Sequence, residues 1–478
     1  MKLKRERNTA LALTVLLGLS AGYMPSTEAA VKDTAEKAVE QQMEAPVGET
    51  LSEKAQRLAH STVTLTGVDV ADGSAYDKKK ILLLVPQLKS DKVKVQELSR
   101  TIALYNDEGA IKLHVNFQPE GNGYRAVVSA VKGKKVTCGV QFANNGNKYS
   151  GEWRGTTTYV NRNLTGRGDT LGAALVSTLS MDKDSAVRQG AVSYRWNLAN
   201  SGDTLTFSAS HSDSKLTNLS ATPLFDLSAT GKSTRAGVSY QHYFNHSQRE
   251  RDFLDFGLNY HQTDNGLELT IPGGGAAKIN YDLHHEDATL SFNHRDRGVS
   301  HNFGYRFGLQ GNLAGDKKDF KAMTADADTK YLIFHANANY LKRLSKEKNS
   351  WLLSTRAAGQ LANKNLISCE KFGVGGMDSV RGFDENIRTA DNGVSGSVEF
   401  YTPEKSGLRG VAFVDGARIK NHHGNMTTNL ASTGLGLRYN TANFSLATDY
   451  AWVVHEPDNV KNDPAGHRRW NLWAGLSF

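Results

Sequence analysis

His301-Asn-Phe-Gly-Tyr-Arg-Phe-Gly-Leu-Gln310 alternates without a break. Phe303, Tyr305, Phe307 and Leu309 fall on one side. Asn302, Gly304, Arg306 and Gly308 fall on the other. A period of two is the signature of a strand with one apolar and one polar face. The same pattern fills Ala191–Leu198, where Val192, Tyr194, Trp196 and Leu198 oppose Ser193, Arg195 and Asn197. It fills Phe253–Gln262 with Leu254, Phe256, Leu258 and Tyr260. It closes the chain with Trp470, Leu472, Ala474, Leu476 and Phe478. Between Lys135 and Phe478 we read sixteen such segments, starting near residues 136, 149, 168, 189, 203, 232, 250, 286, 300, 329, 350, 392, 408, 429, 442 and 470. Their spacing of about 21 residues suits strands of about ten plus turns. Tight turns are expected at Ala199–Gly202 and Tyr439–Asn443. Long loops are expected at 213–231, 263–285, 312–328 and 362–391.

Two architectures use this pattern. A series of soluble sandwiches would bury one face in a core. A membrane barrel would turn the apolar face to lipid and the polar face to a wet lumen. In lipid every backbone group must pair, which forces closure. The mean hydropathy of -0.48 suits either one and excludes a helical membrane bundle. The 18 Phe, 17 Tyr and 6 Trp among 478 residues exclude a disordered chain.

The N-terminus favours the barrel. Lys2, Lys4, Arg5 and Arg7 precede an apolar run from Ala10 to Gly22, and small residues follow at Ala29 and Ala30. Residues 1–29 read as a secretory signal peptide; a membrane anchor would need a longer run. The net charge of +8 is a mild excess and no nucleic-acid footprint, so no nucleic-acid partner is expected. The apolar faces rich in Tyr, Phe and Trp suit an aromatic girdle, and the last strand stops on Phe478. The expected fold is a mainly β, 16-stranded antiparallel transmembrane barrel over residues 136–478.

Two pieces precede it. Residues 31–60 are charged and helix-prone at Val31–Glu44 and Thr50–Leu58. They are too polar for a core helix and suit a linker or a helix in a wet cavity. Residues 61–135 read as a small α/β module. Thr62–Val70 alternates as a strand, with Val63, Leu65, Gly67 and Asp69 on one face. Lys78–Leu88 and Val93–Tyr105 have helical spacing, and Ile111–Gln118 and Tyr124–Val131 form a hairpin across Pro119–Gly123.

One loop carries a motif. Phe372-Gly-Val-Gly-Gly-Met-Asp-Ser-Val-Arg-Gly-Phe383 lies between the eleventh and twelfth segments. Folded inward, it would place Arg381 in a restricted lumen, where an unpaired cation is costly. Asp415 offers a partner and shares a strand face with Phe413. Folded outward, Val380-Arg381-Gly382-Phe383 would be a chance string in an exposed loop.

The string and its position resemble the inward-folded loop motif of the Omp85 superfamily, Val-Arg-Gly followed by Tyr or Phe. The superfamily pairs that arginine with an Asp in a Phe-x-Asp-x-Gly pattern. Here Phe413-Val-Asp415 matches, while Ala417 stands at the glycine place and Gly416 beside it. The α/β module resembles a POTRA domain, and the last strand, with Trp470, Leu472, Leu476 and Phe478, resembles the outer-membrane assembly signal. Within the superfamily the chain is most similar to two-partner secretion transporters of the haemolysin secretion/activation type (ShlB/FhaC/HecB). Val31–Glu44 looks like their plug helix. Phe142–Gly146, Asn163–Asp169 and Ser368–Phe372 look like their barrel entry and loop lead-in. Those transporters usually carry two POTRA domains; here about 75 residues leave room for one.

The resemblance implies an outer-membrane transporter with its POTRA-like domain in the periplasm and no cofactor. It implies a large unfolded exoprotein as partner (a TpsA-type adhesin, haemolysin or toxin), with outer-membrane lipid and the barrel assembly machinery as the other partners. The alternatives are an Omp85-type assembly factor or insertase and a passive porin-like channel. An enzyme has no positive sign: Gly273-Gly-Gly275 lacks the Lys-Ser/Thr of a phosphate loop. His284–His285 and His422–His423 lack metal-ligand spacing and read as surface loop residues. Cys138 and Cys369 read as two separate thiols.

Overall fold

Alternation and turn chemistry build two bodies. The computed structural model describes residues 61–147, 150–179, 186–216, 226–247, 249–271, 275–347, 349–423, 427–456 and 468–478. The signal peptide and the helix read over 31–60 lie outside the described residues.

The first body contains β1 (Thr62–Val70), α1 (Lys78–Leu84), β2 (Lys92–Lys94), α2 (Val95–Glu108), β3 (Ile111–Glu120) and β4 (Gly123–Lys132). The sheet order is β2-β1-β4-β3, with β1 and β4 parallel. Ile81, Leu84, Leu98 and Tyr105 pack on the sheet residues Val63, Ala126 and Val128. Three local details differ from the sequence expectation. Pro86 has no N–H and disfavours helix at the residue before it, so α1 stops at Leu84 and a 3-10 turn follows over Pro86–Lys89. Val93 and Lys94, expected in the helix, belong to β2, which pairs with Thr62–Thr64, and α2 starts at Val95. A register shift between Leu65 and Gly67 flips the side-chain parity of β1, so Val68 is buried and Asp69 faces solvent, where it pairs with Arg125.

The second body is a closed barrel of sixteen strands. In order they are β5 (Val136–Ala143), β6 (Arg154–Asn161), β7 (Thr170–Thr178), β8 (Ala186–Leu198), β9 (Asp203–Leu216), β10 (Asp226–His246), β11 (Glu250–Thr270), β12 (Ala276–Arg297), β13 (His301–Gly315), β14 (Leu332–Arg343), β15 (Leu352–Ala362), β18 (Asn392–Tyr401), β19 (Leu408–Lys420), β20 (Thr427–Asn440), β21 (Phe444–His455) and β22 (Arg468–Ser477). Every neighbouring pair is antiparallel, and β22 returns to β5 along Gly139–Ala143. That seam is short, and Phe478 extends it by exchanging backbone hydrogen bonds with Cys138 at 3.2 and 2.8 Å. Among the described residues no helix is long and apolar enough to cross a membrane, which says nothing of a crossing by strands.

The two faces separate as a lipid-facing wall requires. Phe256, Leu258, Phe307, Leu435 and Trp452 point outward and exposed, while Ser291, Asn302, Asp415 and Asn471 point inward and are buried. Two expected loops prove to be strand. β10 and β11 are 21 residues long and β12 is 22, about twice a membrane crossing. Residues 226–231, 263–270 and 276–285 therefore continue the ladder above the lipid. There the outward positions turn polar (Ser228, Thr230, Asp264, Glu268, Lys278 and Asp282) while Leu227, Ala229 and Leu283 are buried inside, so the alternation that marks a lipid-facing side is lost.

The expected loop at 312–328 holds α3 (Lys317–Met323), capped by Asp316. Phe320 and Met323 pack on Leu283, Ile333, Leu366 and Ile367. Leu283 belongs to the inward face of β12, so this apolar cluster lies inside the barrel. The segment between β15 and β18 adds a small hairpin, β16 (Phe372–Val374) with β17 (Arg388–Ala390).

The POTRA-like body sits against the periplasmic turns. Gln87 Nε2 donates to the carbonyls of Ala199 and Asn200 at 2.8 and 3.2 Å. Gly168 faces the Tyr105 ring so closely that a Cβ would fall 2.4 Å from it. Asp107 accepts from Arg251 Nη1 at 3.0 Å and Arg295 Nη2 at 3.3 Å, and lies 3.1 Å from His246 Nε2. Glu108 pairs with Arg195. Burial alone would raise the Asp107 carboxyl, but the His246 hydrogen bond and the two guanidiniums hold it well below the usual range. A depressed carboxyl contributes its full stability above the ordinary value of about 4 and loses it as the pH falls lower. Asp107→Asn should therefore loosen docking by about 2–5 kcal/mol. We expect faster amide exchange in α2 at pH 7, with little further effect of acid; unchanged exchange would refute the role given to Asp107.

Candidate functional site

The loop between β15 and β18 folds into the lumen. Val374, Val380 and Phe383 are buried against Ala390, Ile419 and Leu430, so the loop has its own apolar footing on the wall. Gly375, Gly376 and Gly382 have φ of 101°, 97° and 98°, values that L side chains rarely adopt. These turns aim Arg381 at β19.

Arg381 is 2% exposed. Its Nε and Nη2 donate to the two oxygens of Asp415, both at 2.7 Å. Its backbone N–H donates to Asp415 Oδ2 at 3.1 Å. The pair is a bidentate fork, the strongest geometry for these groups. The guanidinium carbon lies 3.4 Å from the centre of the Phe413 ring, a cation–π contact. Gly434 makes room for that ring: a Cβ there would stand 2.3 Å from Phe413 Cζ. Ala417 pairs in regular register with Ser395 and Leu430, so the strand passes through the expected glycine place without a break.

Four further groups complete the cage, and no local string in the sequence marks them. Arg381 Nη1 lies 2.7 Å from Glu399 Oε1 and 3.2 Å from Asp449 Oδ2. Arg438 donates to both Asp449 oxygens at 2.7 and 3.0 Å. Arg356 approaches Glu399 at 3.6 Å. Three carboxylates and three guanidiniums thus share one buried patch on β15, β18, β19, β20 and β21. Inward alternation marks each residue as lumenal, but only the barrel stagger brings them to one level.

The other named residues lie elsewhere. Trp470, Leu476 and Phe478 point outward, with 48, 45 and 62% exposure, and Leu472 lies half-buried on the same face. Cys138 and Cys369 are both free. His285 is not a surface loop residue: it is 1% exposed on the inner face of β12. The loop also touches the barrel seam, since Asp384 pairs with Arg469, whose Nη2 donates to the carbonyls of Asn144 and Gly146 at 3.1 and 2.9 Å.

A closed outer-membrane barrel with a POTRA-like module and an inward arginine loop defines the Omp85 class. A family model described as haemolysin secretion/activation protein ShlB/FhaC/HecB matches residues 124–439, more than half of the chain. The chain belongs to that family, whose members are transporters and not catalysts, and it is an outer-membrane protein with its POTRA-like region in the periplasm. Among solved structures it is similar to CdiB from Escherichia coli, with a TM-score of 0.72, 16% identity and coverage of 87% of this chain and 76% of that one. CdiB from Acinetobacter baumannii gives a TM-score of 0.70 at 16% identity, over 87% and 74%. BamA from Haemophilus ducreyi lacking POTRA domains 1-3 gives 0.50 at 15% identity, over 87% and 85%. No curated protein matches the chain in sequence.

Proposed function

We propose that this protein captures an unfolded partner exoprotein in the periplasm and exports it through the barrel, as one half of a two-partner secretion pair. The observation that carries this reading is the match of residues 124–439 to a secretion family, because it spans both the last strand of the POTRA-like sheet and the arginine loop. The partner is a large adhesin, haemolysin or toxin. It would add as a strand to the POTRA-like sheet, a backbone-driven contact that tolerates sequence variation. Residues 61–135 act as the receiving module. The segment 31–60 acts as a plug that leaves before transport. The loop carrying Val380, Arg381, Gly382 and Phe383 then rearranges against Asp415 and Phe413. Folding of the exported chain outside gives the process its direction. Trp470, Leu472, Leu476 and Phe478 serve the barrel assembly machinery and then face lipid.

Deleting the gene should leave one large secreted protein trapped in the periplasm, with the levels of other outer-membrane proteins unchanged. Normal arrival of that protein at the surface would overturn the reading. Depletion of many outer-membrane proteins would replace it with an insertase.

A further inference from the structure

His261 and His285 stand directly opposite each other on β11 and β12. Their rings stack at 4.5 Å, and their side chains are 9 and 1% exposed. Asp287 is two residues beyond His285, on the same inner face, and its Oδ2 lies 2.6 Å from His261 Nε2. Glu370, from the lead-in of the arginine loop, reaches across to the same point. Its Oε1 lies 3.3 Å from His285 Nε2. One ligand atom from each of the four side chains lies within 4.8 Å of all the others.

Two features make this more than a hydrogen-bond cluster. The first is charge. Two buried carboxylates face two imidazoles, and among the described residues those histidines are the only basic groups within ion-pair distance; the Arg235 guanidinium, opposite His261 on β10, acts on Glu370 from farther off. Gln310 Nε2 is shared between them, at 3.2 Å from Asp287 and 2.8 Å from Glu370. A divalent cation neutralises both carboxylates at once, which removes the cost of burying them. The second is the imidazoles themselves. His261 Nδ1 and His285 Nδ1 are buried without a hydrogen-bond partner. Each ring instead directs its Nε2 at the carboxylates, so the two ring nitrogens converge with Asp287 Oδ2 and Glu370 Oε1 on one point, as ligand atoms do around an ion.

We propose that His261, His285, Asp287 and Glu370 form a zinc-class divalent metal site that fastens the arginine loop's lead-in to the inner wall. Two imidazoles and two carboxylates are a donor set for zinc or a neighbouring first-row ion, not for calcium or magnesium. Bonds of 2.0–2.2 Å place tetrahedral ligand atoms about 3.3 Å apart. Side-chain shifts of roughly 1 Å close the set around an ion from the present spacing. The surroundings are apolar, with Phe320 edge-on to His285 at 5.9 Å and Leu283, Leu366 and Ile367 close by. Asn259 Nδ2 donates to Asp287 Oδ1 at 2.8 Å and holds that carboxylate in place. Three ligands belong to the wall and one to the loop, so the ion would join them eleven residues before Arg381.

The test uses full-length protein in detergent, free of any histidine tag and stripped with a chelator. Zinc is then titrated against a chromophoric chelator, and retained metal is counted by mass spectrometry. We expect about one tightly held ion per chain. Glu370→Gln and His285→Asn should each weaken it beyond the roughly 10–100-fold typical of outer-shell changes. His284→Asn, on the opposite face of the same strand, should leave it unchanged. Heat-modifiable migration reports whether each variant has folded. Cobalt in the wild type gives a readout that needs no variant, since four-coordinate cobalt shows intense visible bands and aqueous surface cobalt shows weak ones. No retained zinc, weak cobalt bands, or equal affinity in folded Glu370→Gln and His285→Asn would each overturn the site. Metal binding depends on where Glu370 stands and not on what passes the pore. A zinc-loaded protein that exported nothing would count against the secretion reading alone.

Discussion

Arg381→Ala should assemble as a folded barrel and lower export of the partner by at least about tenfold, consistent with losing more than 1.4 kcal/mol of loop anchoring. The substitution removes the cation that Asp415, Glu399 and Asp449 share. Breaking one side of a buried pair commonly costs about 3–5 kcal/mol, because the remaining charges are left without compensation. Arg438 and Arg356 stay to balance Asp449 and Glu399, whereas Asp415 loses both teeth of its fork. The barrel ladders do not pass through Arg381, so insertion should survive. Arg381→Lys should recover only part of the export, since an ammonium cannot make the bidentate contact. Export at the wild-type level from Arg381→Ala would remove the proposed role of the loop. The readout is the amount of partner in the medium, normalised to folded barrel in the membrane.

Deleting Phe478 should have the other large effect, on assembly. The residue makes two backbone hydrogen bonds with Cys138 beyond the end of the β22–β5 ladder. Elsewhere the ladders run longer, so this seam has the least to lose. In lipid an unpaired backbone group costs several kcal/mol, because no water replaces the lost partner. Deletion also removes an outward aromatic that is 62% exposed and available to lipid. We expect the heat-modifiable form to fall to a minor fraction, with the unfolded chain degraded in the periplasm. Full heat-modifiable mobility of the truncated protein would contradict the assembly role. The two experiments separate the two ends of the function: one leaves a barrel that does not export, the other leaves little barrel.

Much of this molecule can be read along the chain, because a strand's facing is a local property. His301–Gln310 needs no partner to show which side is apolar, and sixteen such runs mark sixteen strands. Val-Arg-Gly-Phe and Phe-Val-Asp are short strings visible without coordinates. Errors entered where the local signal was weak or cancelled. The ends of β10, β11 and β12 beyond the lipid are polar on their outward face, so no apolar outer side marks them as strand. The bulge in β1 reversed a parity that alternation had assumed constant. Lys92–Lys94 is too short for periodicity to separate it from the helix that follows.

By itself, then, the sequence marked the strand count, the apolar side of the strands with clean alternation, the small α/β module before the barrel and the strings Val-Arg-Gly-Phe and Phe-Val-Asp. Those features depend on period-two alternation, turn residues and strings of a few residues. The tertiary structure alone decided which lumenal groups share a level. Glu399 and Asp449 join Arg381 from strands on either side of Asp415, and Glu370 meets His261, His285 and Asp287 from a loop that crosses the lumen. The reason is geometric. Alternation states that a residue points inward, but strand stagger, barrel closure and the path of an inward loop set its height and its neighbours, and none of these is a local quantity.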